Sequence, residues 1–82
     1  MKQIIMLVKR DGMSDEEVSQ VRDYLKSSFK VDGIKATILF LEGYDVFDDI
    51  KIIPLGEIEV VNKVRRQAGY VYMDDCYLLF FW

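Results

Sequence analysis

The chain has 82 residues, enough for one domain and too few for two independent cores, so residues 1–82 are read as a single folding unit. Aliphatic, aromatic and cysteine residues make up 51% of it and charged residues 30%, a balance that supports a packed core and excludes intrinsic disorder. Fourteen acids against eleven bases leave a net charge of −3, which opposes general binding to a phosphate backbone and makes nucleic acid an unexpected partner.

Cys76 is the only cysteine, so no disulfide can close within the chain and a cysteine-rich secreted scaffold is excluded. A reducing, cytoplasmic setting is the expectation. The apolar run at residues 4–8 is too short for a signal-peptide core, and no segment approaches the roughly 20 apolar residues of a membrane span.

In chain order, Ile4-Ile5-Met6-Leu7-Val8 is rich in β-branched residues and ends at Asp11-Gly12, which predicts a strand covered on both faces near the centre of a sheet. Ser14 followed by Asp15-Glu16-Glu17 is a capping box, with Met13 and Val18 placed as a hydrophobic staple. The helix it opens carries Val18, Val21, Leu25 and Phe29 at spacings of three and four, widened by Tyr24 and Ser28, with Gly33 as its left-handed stop. Ile34, Ala36, Ile38 and Phe40 then alternate with their neighbours as a second strand. Strand, helix and strand make a right-handed crossover with parallel strands. Residues 50–53 and 57–61 flank Pro54-Leu55-Gly56 and read as a hairpin. After Val61 an irregular or helical turn is expected. The β-rich runs 70–73 and 76–82 around Asp74-Asp75 predict a terminal hairpin. The fold expected is α+β: a two-layer β-α-β-β-β-β sandwich with one main helix on a mixed, mostly antiparallel sheet.

The chain has no histidine, which removes the commonest general base, the catalytic triads and most zinc sites together, so no catalytic residue is assigned and no enzyme is expected. Cys76 lies beside Asp75 and Tyr77, and a neighbouring carboxylate makes it a poor nucleophile. Tyr72-Met73-Asp74-Asp75, with apolar flanks at Tyr70-Val71 and at Cys76-Tyr77-Leu78-Leu79-Phe80, resembles the active-site hairpin of reverse transcriptases, where paired aspartates hold magnesium. The resemblance covers about ten residues, whereas that chemistry needs a further aspartate from a separate strand and a far longer chain. It implies a hairpin shape here. No metal or cofactor is expected. Glu42, Asp45, Asp48 and Asp49 match no calcium-loop spacing and read as a solvated acidic loop able to steer a basic partner.

The expected function is that of a small, acidic, non-catalytic binding protein acting by protein–protein interaction. Its partner contacts are placed at Glu42, Tyr44, Asp45, Asp48 and Asp49, and at Tyr77, Phe80, Phe81 and Trp82, where bulky apolar residues run to the last position. Composition alone is similar to that of phage-encoded inhibitors of host defence. The alternative is a homo-oligomer, dimeric or larger, binding a small molecule or nucleotide through Lys63, Arg65, Arg66, Tyr70 and Tyr72.

Overall fold

In a computed structural model of the chain, residues 3–29, 32–43, 50–59 and 65–82 are described. They form β1 (Gln3–Lys9), α1 (Asp15–Ser28), β2 (Lys35–Leu41), β3 (Ile53–Glu59), β4 (Arg65–Met73) and β5 (Cys76–Phe81), an α+β fold in the expected order. The strands make one sheet in the order β2-β1-β5-β4-β3. β1 runs parallel to both β2 and β5, and β4 is antiparallel to β3 and β5. The sheet is therefore split evenly between the two pairing types, rather than mostly antiparallel.

Ser14 caps α1 as its sequence dictates. Its hydroxyl accepts from the Glu17 N–H at 3.2 Å while the Glu17 carboxylate faces the Ser14 N–H, which satisfies two backbone donors that the first turn leaves open. The helix closes at Phe29, whose N–H donates to the Leu25 carbonyl at 3.1 Å, and Gly33 (φ +80°) lies beyond it in the turn before β2. Val18, Val21 and Leu25 point from α1 into a core completed by Met6 and Val8 of β1, Met13, Ala68 of β4 and Phe81 of β5. Fully burying a valine, leucine, methionine or phenylalanine side chain contributes about 1.5–3 kcal/mol. Phe29 meets Phe81 edge to face at 6.3 Å, and the Arg22 guanidinium lies 5.2 Å above the Phe40 ring at the sheet's outer side.

Residues on one strand alternate between faces, so Phe80 lies on the face opposite Phe81 and α1. Phe80 is nevertheless 0% exposed and Phe81 only 4%. β5 is the central strand, flanked by β1 and β4. Gly69, opposite Phe80 on β4, leaves room on that second face for the Ile52 methyl and the Trp82 ring. A Cβ at Gly69 would overlap the Ile52 Cγ2 methyl and lie 3.0 Å from the Ile53 carbonyl, so only glycine lets the chain entering β3 lie against β4.

Two further sequence expectations are corrected. Pro54-Leu55-Gly56 is not a hairpin turn: it lies within the single strand β3, whose register against β4 shifts between Pro54 and Gly56. A bulge on an edge strand tolerates both a proline without an N–H and a glycine at φ +107°. Residues 65–69 are strand, not an irregular or helical turn. The expected continuation of a strand to Val61 lies outside the described residues. The terminal hairpin is present, turning at Asp74 (φ +41°) and Asp75.

Candidate functional site

α1 connects β1 to β2 and packs on that half of the sheet, so the same face of β4 and β3 is left partly open. Strand alternation and register decide what stands there. Tyr70 and Tyr72 share the face of the core residue Ala68, Tyr72 lies opposite Tyr77 of β5, and Tyr70 lies opposite Ile53 of β3. Tyr72 and Tyr77 are in contact, with ring centroids 4.6 Å apart and a 45° tilt, yet they remain 51% and 37% exposed. Ile53 is also exposed and Tyr70 half-buried. The result is a shelf of three tyrosines and an isoleucine beside the helix, held by backbone ladders. At its end the turn residues Asp74 and Asp75 are exposed, and Met73 is exposed on the other face. The Gln3 N–H donates to the Asp75 carbonyl at 2.9 Å, which ties the turn to β1.

The residues expected to contact a partner divide sharply. Tyr77 stands on the shelf. Phe80 and Phe81 are interior groups on opposite faces of the central strand, which corrects their placement on a contact surface. Trp82 is half-buried, and its backbone exchanges bonds with Gln67, donating at 3.0 Å and accepting at 2.7 Å. Glu42 is exposed, whereas Tyr44, Asp45, Asp48 and Asp49 lie outside the described residues.

The alternative ligand set is brought together only in part: Arg66, Tyr70 and Tyr72 share one face of β4. Arg65 and Arg66 are adjacent on β4 and so project to opposite faces. Arg66 shares the tyrosine face, with its Nε buried and unpartnered, while Arg65 lies 3.4 Å from Glu57 across the β3–β4 ladder. Lys63 lies outside the described residues. An open groove of about 300 Å³ is lined by Glu57, Ile58, Glu59 and Arg65. Two carboxylates face one guanidinium already engaged by Glu57, so the groove has little to attract an anion.

Among the described residues no three carboxylates or thiols converge as metal ligands, and no polar or charged residue is buried as a whole. Among the described residues Asp74 and Asp75 thus have no third carboxylate beside them. No helix among the described residues is long and apolar enough to cross a membrane. Sequence reading assigned Tyr70 and Tyr72 to a ligand site and passed over Ile53. The missing information was register: only the pairings across two ladders put Ile53, Tyr70, Tyr72 and Tyr77 side by side. Comparison of the chain with protein-family models, curated proteins and solved structures finds no match.

Proposed function

We propose that this chain is a non-catalytic binding protein that acts by covering part of another protein's surface, with Tyr72 and Tyr77 as its anchors. The observation that carries this reading is the exposed tyrosine pair, 4.6 Å apart and fixed on a two-residue hairpin next to the hydrophobic core. Tyrosines presented on a rigid strand supply large contact area at a low cost in side-chain entropy, and for that reason they are common anchors in interfaces. Ile53 and Tyr70 extend the apolar area, and Asp74 and Asp75 give it an acidic rim suited to a partner bearing lysine or arginine.

Occlusion of this kind is how a phage-type inhibitor of a host protein works, and a small, acidic, histidine-free chain fits that form. A lone, half-buried Cys76 suits a reducing, cytoplasmic setting. The small-ligand reading has less support, because its basic residues diverge and its groove is acidic.

The test is quantitative capture from cell lysate by the chain and by a Tyr72→Ser, Tyr77→Ser double variant. The captured protein is then purified and titrated against both. The expected result is saturable binding weakened at least about tenfold in the variant, with unchanged circular dichroism. Equal affinity for both chains would move the site off the shelf.

A further inference from the structure

Within a strand the N–H and C=O of one residue point to the same side, and successive residues alternate. The Arg10 N–H donates to the Leu41 carbonyl at 2.7 Å, so Leu41 turns its backbone groups toward β1. By alternation Leu39, Thr37 and Lys35 do the same, and Phe40, Ile38 and Ala36 turn theirs outward. β2 is an edge strand, and among the described residues no strand pairs with that outer row. Proteins commonly blunt such an edge with proline, a bulge or charge. β2 has none of these along its length: its register with β1 is unbroken from Lys35 to Leu41, it lacks proline, and its only charge is Lys35 at the start. The opposite edge, β3, carries Pro54, a register shift, Glu57 and Glu59.

We propose that the outer edge of β2 pairs with β2 of a second copy of this chain, antiparallel about a two-fold axis through Ile38. The strand is complementary to itself in that register. Ile38 lies opposite its own copy, and Ala36 lies opposite Phe40, small against large, on the helix side. On the other side Thr37 meets Leu39 and Lys35 meets Leu41, so no like charges face each other. Ala36, Ile38 and Phe40 each donate and accept one backbone bond across the axis, and Leu39, 45% exposed in the single chain, gains a neighbour. Both helices stay on the same face of one continuous sheet, the closed isologous arrangement usual for two-fold dimers.

The area sets the strength. A seven-residue strand is about 23 Å long. Pairing two of them hides on the order of 500 Å² per copy, below the roughly 800 Å² per partner of a standard interface. An interface of this size is expected to be weak and reversible. The dimer does not depend on the tyrosine shelf, which lies toward the opposite edge of the sheet.

Sedimentation equilibrium and a ¹⁵N amide-shift series, both from about 10 µM to about 1 mM, test this on the wild type, on Ala36→Pro and on Tyr72→Ser with Tyr77→Ser. Proline at 36 removes an outward N–H and blocks the partner's approach while leaving the bonds to β1 intact. The expected results are a wild-type mass rising from 9.6 kDa toward twice that value, with concentration-dependent shifts concentrated at the Ala36, Ile38 and Phe40 amides. Ala36→Pro is expected to associate at least tenfold more weakly, and the tyrosine variant to associate like the wild type. A wild type that stays monomeric at 1 mM overturns the proposal. So does a dimer that survives Ala36→Pro, or one whose shifts map to the tyrosine shelf. Should Ala36→Pro fail to fold, the wild-type shift pattern decides alone.

Discussion

The sheet ends in two strands of seven residues, β2 and β3, and each leaves one row of backbone groups without a neighbouring strand among the described residues. They are held in different ways. β2 returns from α1 and inserts Ile38 and Phe40 against the core, and its ladder with β1 is unbroken. β3 is paired only to β4, through a register shift, and most of its residues are exposed. The strand with little core to fill is free to carry Pro54, Gly56, Glu57 and Glu59. The strand that must pack keeps an apolar sequence and an open edge. Core packing and protection of an edge compete for the same few residues, and here each edge has satisfied one of the two.

The comparison breaks most visibly at Gly69. Gly69→Val drives a branched side chain into Ile52 and the Ile53 carbonyl, so β3 should detach from β4 at a cost of about 3 kcal/mol. Urea denaturation measures the loss, and amide exchange should show β3 opening first. Next in size is a pair of prolines on β2. Thr37→Pro removes an N–H that bonds to β1 and should cost about 2–3 kcal/mol, whereas Ala36→Pro removes an outward one and should cost under about 1 kcal/mol. Equal denaturation midpoints for the two would refute the assigned direction of the edge. Ser14→Ala, which opens the capping box on the helix that delivers β2, should lower stability by about 1 kcal/mol in the same assay.

The smallest effect on stability is predicted on β3. Glu57→Val with Glu59→Val gives up one exposed ion pair and should change the unfolding free energy by less than about 0.5 kcal/mol. If those charges guard the edge, light scattering should still show the double variant self-associating where Glu57→Gln with Glu59→Gln does so far less.

Elements specified by neighbours in the sequence were legible in advance. Ser14 and Glu17 mark the start of α1 because a cap is a contact over three residues, and Val18, Val21 and Leu25 mark its buried face because helical spacing needs no outside information. The β4–β5 hairpin was legible from two β-rich runs around Asp74 and Asp75. Pro54 and Gly56 misled because both are turn formers, and whether such residues reverse a chain or bend an edge strand depends on which side the missing N–H faces. Of the residues expected at a contact surface, Tyr77 is exposed, while Phe80 and Phe81, adjacent in sequence and alike in hydrophobicity, are core.

The sequence by itself determined the β-α-β unit, the helix and its cap, the terminal hairpin and the absence of histidine chemistry, because each depends on spacing within a few residues or on composition. Only the tertiary structure decided that β5 enters the sheet between β1 and β4, that β3 and β2 become its edges, and that Ile53 and three tyrosines share one open face. Those outcomes depend on pairings between residues far apart in the chain. The free energy of such pairings belongs to the assembled sheet and is written in no local pattern.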